Sequence, residues 1–370
     1  MKVFISIPWF LPAYKAGGPI QSIANLINNL SDNIEYKIFC SIKDLNGEPL
    51  QNIITDEWII YNSHTQVWYT SQKKCKQNLS KQLKETNADV LFIIGLFSWH
   101  FNIMPLLIAT GYKKILSVRG MLHPGALSQK KWKKRFFVQA LKLWGINKKV
   151  FFHATDDVEN GFIKNQFGQN TKVFVANNFT KKVKKNEPLV KIENSLHIVT
   201  IALISPMKNH LLVLKALINC TANITYNIYG PIKDTTYWHN CLEQIKNLPK
   251  NIHVNYFGEI QPKEVEAVLA KNHLFIMPSK SENFGHAIAE ALAAAKPVIT
   301  SYNTPWVNLL ENKAGINVAT NKVEICTALN IFAKMNNDTY LQFVQGAENY
   351  SVIKSNSASK MEAYQKMFSV

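Results

Sequence analysis

Short apolar runs alternate with helical stretches in two series along this chain, and a polar segment separates the two. In the first series strand-length runs fall at residues 2–8, 35–41, 66–70, 89–96, 114–118, 150–153 and 172–175, with helical patterns at 19–30, 77–85, 102–109, 130–144 and 157–165. The second series places strands at 196–204, 224–229, 252–257, 274–277, 297–300 and 315–318, and helices at 208–219, 236–247, 262–271, 284–295 and 323–334. Runs such as Val90-Leu91-Phe92-Ile93-Ile94 are apolar at every position, as a strand buried on both faces requires. Residues 181–188 are charged and turn-forming and read as a linker. Two βαβ series in tandem predict an α/β protein of two Rossmann-like parallel-sheet domains facing an interdomain cleft.

The most informative stretch is residues 278–306. An apolar strand, 274–277, runs into a polar turn holding Glu282, which opens a helix; Glu290 lies inside that helix, with seven residues between the two, and Pro297-Val298-Ile299-Thr300 starts the next strand. At such strand–loop–helix junctions free backbone N–H groups and the helix dipole favour phosphate. Carboxylates repel a diphosphate but accept hydrogen bonds from hydroxyls. The economical ligand is therefore a nucleotide sugar. Glu282 would hold the hexose, the N–H groups of Asn283, Phe284 and Gly285 the diphosphate, and Glu290 the ribose. The spacing of two Glu alone arises often by chance; its setting between a strand, Phe284-Gly285 and Lys296-Pro297-Val298 is what carries the reading.

This pattern resembles the retaining family 4 glycosyltransferases of GT-B fold. Glu282-Asn283-Phe284-Gly285-His286-Ala287-Ile288 and Thr304-Pro305-Trp306 are similar to their bacterial polysaccharide and O-antigen branch. The resemblance runs from Met1 to about Trp306 and is strongest in the second half. It implies that Glu282 contacts the donor sugar and Glu290 the ribose, with a UDP-sugar the favoured donor and no cofactor. It also implies an acceptor-binding domain at 1–180, a linker at 181–195, a donor-binding domain at 196–345, and a C-terminal segment, 346–370, whose helix crosses back to the first domain. The acceptor is expected to be a lipid-linked saccharide or an oligosaccharide, reached from the cytoplasmic side of the inner membrane.

Other motifs fit around this core. Gly17-Gly18-Pro19 follows the first strand and opens the first helix, either as a glycine loop over donor or acceptor or as an ordinary turn. Ser205-Pro206-Met207-Lys208-Asn209 matches a family loop in which an Arg and a Lys neutralise the leaving diphosphate. Lys208 supplies the Lys, but Leu203 stands where the Arg belongs, so half the cationic clamp is missing. Arg119, in Arg119-Gly120-Met121-Leu122-His123, is the candidate replacement, and His123 a candidate acceptor contact. Backbone near Ile260 is a candidate for the base. His286 either lines the donor pocket or packs.

The formal charge of +17 is uneven: residues 90–155 hold eleven Lys or Arg and no Asp or Glu. Such a field attracts polyanions or an anionic membrane surface. Within it, Trp132, Phe136, Ala140 and Leu143 recur at helical spacing among lysines. This is either a membrane-surface helix or a helix packed on its own sheet. Nucleic acid is the weaker partner, because no RNP-type aromatic strand or zinc finger accompanies the charge and the basic stretch interrupts a βαβ core. No apolar run is long enough to span a bilayer, and residues 1–7 read as a buried strand rather than a signal peptide. Five scattered cysteines fit reduced thiols in the cytoplasm. No Asp-x-Asp, Cys-x-x-Cys, His-Glu-x-x-His, P-loop or Gly-x-Gly-x-x-Gly occurs, so neither a metal site nor a typical dinucleotide site is expected. The expected activity is retaining, metal-independent glycosyl transfer. The alternatives are a nucleotide-sugar epimerase of the same fold and an inactive sugar-nucleotide-binding relative.

Overall fold

The computed structural model describes residues 1–30, 33–108, 111–128, 131–181, 183 and 187–369. Expected features that fall partly outside these residues are the linker at 181–188, the helix expected at 102–109 at its residue 109, the helix expected at 130–144 at Lys130, and the C-terminal segment 346–370 at its residue 370. The chain divides into two compact units, Met1–Phe179 with Ser357–Val370, and Thr180–Asn356.

The first unit holds, among the described residues, an eight-stranded sheet built from β1 (Lys2–Ser6), β2 (Glu35–Ser41), β3 (Trp58–Asn62), β4 (Thr65–Thr70), β5 (Val90–Ile94), β6 (Lys113–Ser117), β7 (Phe151–Ala154) and β8 (Val173–Val175). Its order is β3-β4-β2-β1-β5-β6-β7-β8, parallel except where β3 runs against β4. Side chains alternate across it as pleating demands. Leu91 and Ile93 enter one core cluster, and Val90, Phe92 and Ile94 enter the other. The helix Ser357–Ser369 completes the second cluster with Tyr364, Met367 and Phe368.

The second unit holds β9 (Ser195–Ile201), β10 (Asn223–Tyr229), β11 (Ile252–Tyr256), β12 (Leu274–Met277), β13 (Val298–Ser301) and β14 (Gly315–Val318), all parallel, in the order β11-β10-β9-β12-β13-β14. This is the doubly wound order, in which the chain reverses its direction of growth between β9 and β12. Ile198, Leu274 and Ile276 pack on one face, Val199, Phe275 and Met277 on the other.

Several elements differ from the sequence reading. The edge strand β3 and the helix Asn337–Lys354 were not anticipated. The helices expected at 208–219 and 284–295 begin later, at His210 and His286, because Asn209 and Gly285 take left-handed φ values of 67° and 76°. In the helix Lys131–Leu143 the apolar row at Trp132, Phe136, Ala140 and Leu143 is exposed. Val138 and Leu141 are the buried residues, so the row is not the face packed on the sheet.

Candidate functional site

At the β9/β12 reversal, loops 202–209 and 278–285 leave adjacent strand ends, the place where open α/β sheets bind ligands. Backbone and side-chain bonds staple these loops together. Lys280 N–H donates to Met207 O at 2.9 Å, and the Asn209 amide donates to Pro278 O at 3.1 Å. The stapling brings Lys208 to Glu282: Nζ donates to Oε1 at 2.6 Å, with side-chain exposures of 21 % and 9 %. A pair this close and this sheltered is held by a charge-assisted hydrogen bond as well as by Coulomb attraction. Leu203 is partly buried, and Lys208 is the cation this loop places on Glu282.

The Glu282 turn is pinned from the far side by the Thr304-Pro305-Trp306 segment. Glu282 N–H donates to Asn303 O at 3.1 Å. The buried Trp306 donates its indole N–H to Phe284 O at 2.5 Å, and its ring meets Phe284 edge-on, centroids 5.4 Å apart. Asn317 in turn holds the Trp306 carbonyl at 2.7 Å. Gly285 caps the helix His286–Ala293 in the left-handed conformation. A Cβ there would also lie 3.1 Å from Ile288 Cδ1. This turn leaves the amides of Phe284 and Gly285 with no acceptor among the described residues, so they stand free at a helix N-terminus.

Inside that helix Glu290 is partly buried. Burial raises its pKa; Lys181 draws it down, and Glu266 pushes it up. Lys181 is itself paired with Glu266 at 3.7 Å. Among the described residues nothing hydrogen-bonds the Glu290 carboxyl, so its acceptor capacity is unused. Ile260, beyond β11, is partly buried and packs on the same core cluster as Phe284 and Ala287.

The remaining predicted residues lie in the first unit. Gly17 takes φ 68° and caps the helix Gly18–Asn29, with Pro19 in its first turn. Its carbonyl accepts from Ile20 and Gln21. Arg119 is buried, 9 % exposed, and donates to Asn178 Oδ1 at 2.5 Å. It lowers the Tyr364 pKa against the stronger effect of burial, and does the same for Glu159. Its Nε and Nη2 are buried without a hydrogen-bond partner among the described residues. His123 accepts from Gly125 N–H through Nδ1 at 3.0 Å and stands edge-on to Phe162. Burial lowers its pKa, which favours the neutral ring. Beside it is a cavity of about 700 Å3 lined by Leu122, Pro124, Leu127, Val138 and Phe162 together with the polar Arg135, Gln139, Asn165 and Gln166.

One residue escaped the sequence reading. His210, two positions after Lys208, is buried, and neither ring nitrogen has a partner among the described residues. Burial, then the Lys208 charge, pushes its pKa down to about 3. A lone His opening a helix carries no signal that marks it beforehand.

Residues 181–349 match the family model described as Glycosyl transferases group 1. No curated protein matches the chain significantly. Among solved structures, the chain is similar to HepE of Anabaena in complex with UDP-glucose, at 14 % identity over 100 % of both chains and TM-score 0.76. It is similar to sucrose-phosphate synthase of Thermosynechococcus elongatus, at 13 % identity over 99 % of this chain and 98 % of that one, TM-score 0.75. A third is a glycosyltransferase of Rickettsia africae, at 14 % identity over 99 % and 97 %, TM-score 0.66. The fold is the α/β fold of GT-B glycosyltransferases.

Proposed function

We propose that the chain is a retaining, metal-independent glycosyltransferase that moves a sugar from a nucleotide diphosphate donor to a saccharide acceptor. The observation that carries the reading is the convergence, at one strand-order reversal, of the Lys208–Glu282 pair, the free Phe284 and Gly285 amides, and an unused carboxyl at Glu290. A UDP-sugar is the favoured donor, a choice supported by the UDP-glucose bound to the similar HepE. The donor's diphosphate takes Lys208 and the two amides. Glu282, released from its ion pair, accepts from hexose hydroxyls, and Glu290 from the ribose. The C1–O bond to the diphosphate breaks as the acceptor oxygen bonds C1 on the same face, and the acceptor proton passes to the leaving phosphate. Fixed amides and Lys208 stabilise the charge that develops there, which is preorganised electrostatics; Glu282 holds the sugar in line. Metal independence is supported by the lack of any Asp-x-Asp in the sequence.

The acceptor in this reading is a lipid-linked saccharide of surface polysaccharide synthesis, with the enzyme peripheral on the inner membrane face. The largely apolar cavity beside His123 and the basic stretch at 90–155 support it. Among the described residues no helix is long and apolar enough to cross a membrane.

The test is thermal-shift titration with UDP-, GDP-, dTDP- and ADP-sugars on wild type and Glu290→Ala. One donor family should stabilise the wild type, with the shift lost in the variant. Product analysis with and without saccharide acceptor follows. Transfer needs the acceptor, whereas an epimer formed without it makes the chain an epimerase. Binding without either product makes it an inactive relative.

A further inference from the structure

The helix Lys131–Leu143 carries an apolar row that the fold leaves uncovered. Trp132, Phe136 and Leu143 are 84 %, 78 % and 88 % exposed, more than any other large apolar side chain among the described residues. At helical pitch they lie within roughly 40° of one another, along a line of about 16 Å. The opposite side of the helix is already anchored. Val138 and Leu141 are buried, Phe137 meets Phe97 with centroids 5.5 Å apart, and Lys134 donates to Ala126 O at 2.6 Å. The exposed row is therefore not a core face awaiting its sheet. Arg135 and Lys142 flank it on one side and Lys133 on the other, all exposed, in a stretch without a single acidic residue.

We propose that this face docks on an anionic lipid bilayer, with Trp132, Phe136 and Leu143 entering the headgroup boundary and Lys133, Arg135 and Lys142 meeting lipid phosphates. Charge decides the occupant. A second copy in a two-fold contact would set these cations against their own copies. A stable protein partner needs about 800 Å2 per side, more than a single row of three side chains offers. A bilayer needs no matching shape, and an anionic one attracts every flank of the row. The inference rests on the lipid-linked acceptor for its purpose, but the binding it predicts requires no sugar donor.

The full chain is sedimented with vesicles of phosphatidylcholine alone and of an equal mixture with phosphatidylglycerol. Binding is expected to the mixed vesicles. It should fall about tenfold or more in the triple variant Trp132→Ser, Phe136→Ser, Leu143→Ser, and about fivefold for each of Lys133→Gln and Lys142→Gln. The variant Val352→Ser, Ile353→Ser changes two other exposed apolar residues, each 68 % exposed in the helix Asn337–Lys354, and should bind like wild type. Since the triple variant alters only exposed groups, its thermal unfolding and its donor-induced shift in vesicle-free buffer should match wild type. Three results would overturn the proposal: no binding to either vesicle, equal binding by the triple variant, or a concentration-dependent dimer that the triple variant loses. Vesicle binding that persists while every sugar nucleotide fails to bind would sink the transferase reading and leave this one standing.

Discussion

A carboxyl group with nothing to bind is the most telling single residue here. Burial raises the Glu290 pKa above its ordinary 4.5, Lys181 lowers it and Glu266 raises it. The sign of the consequence follows from linkage. An acid whose folded pKa exceeds its unfolded one costs stability once ionised. The cost is absent below the unfolded value, grows as pH rises through the folded value, and is complete above it. Glu290→Gln should therefore raise the Tm of the ligand-free protein at pH 7.5, and the advantage should vanish toward pH 4, which melts across that range will show. The same substitution removes a charged acceptor from the proposed ribose contact, worth about 1.5–3 kcal/mol, so donor affinity should drop at the pH where stability gains. A variant that neither stabilises at neutral pH nor weakens donor binding would mean that Glu290 is solvated and idle. Arg119, in the first unit, is only partly satisfied: it is buried and bonds Asn178 through Nη1, while Nε and Nη2 have no partner among the described residues.

Among the elements, the Glu282 turn depends on one backbone conformation. Gly285 holds φ 76°, a region that costs an L-residue roughly 1–2 kcal/mol. Gly285→Ala should lose about that much in urea unfolding, with a little more or less depending on how far Ile288 Cδ1 yields from 3.1 Å. Calorimetric titration should show weaker donor binding, because relaxation of the strain re-aims the Phe284 and Gly285 amides. Unchanged affinity would remove those amides from the diphosphate site. The same glycine explains what could be read in advance. All six strands of the second sheet were legible; the central β12 and β13 are buried at every position, and β12 shows it as an unbroken apolar run. These two helix starts were each misplaced by two residues, since Asn209 and Gly285 step into left-handed φ without changing the apolar spacing. β3 was missed although Trp58-Ile59-Ile60-Tyr61 is an apolar run: it is an edge strand with two exposed and three half-buried residues, so its pairing with β4 and not burial keeps it extended. Apolar spacing found the helix Lys131–Leu143 but not which side faces inward, which Val138 and Leu141 decide through contacts distant in sequence. Lys208 and Glu282 were each picked out by motif. Their 2.6 Å contact spans 74 residues and exists because β9 lies beside β12, which no local pattern encodes.

On the scale of the whole molecule, the two units are closed differently. The second is one continuous segment, Thr180–Asn356; the first takes its last helix from residues beyond it. That helix places Tyr364, Met367 and Phe368 at 1 %, 0 % and 2 % exposure. Phe368 meets Phe92 at 5.6 Å and Tyr364 stacks on Phe179 at 5.6 Å, while Lys113 Nζ holds Met367 O at 2.7 Å. Deleting residues 357–370 strips three large side chains from the core. At about 2–5 kcal/mol for each buried side chain lost, the sum is on the order of 10 kcal/mol, which is as much as a whole domain's stability of about 5–15 kcal/mol. Calorimetry of the truncated chain should therefore lack the first unit's transition and keep the second's. That surviving transition should still move up with the donor nucleotide, because Lys208, Glu282, Phe284, Gly285 and Glu290 all belong to the second unit. Glycosyl transfer should be lost, since the cavity beside His123 goes with the first unit. If both transitions disappear together, the second unit does not stand by itself. If both survive, the helix's buried contacts contribute far less than their area suggests.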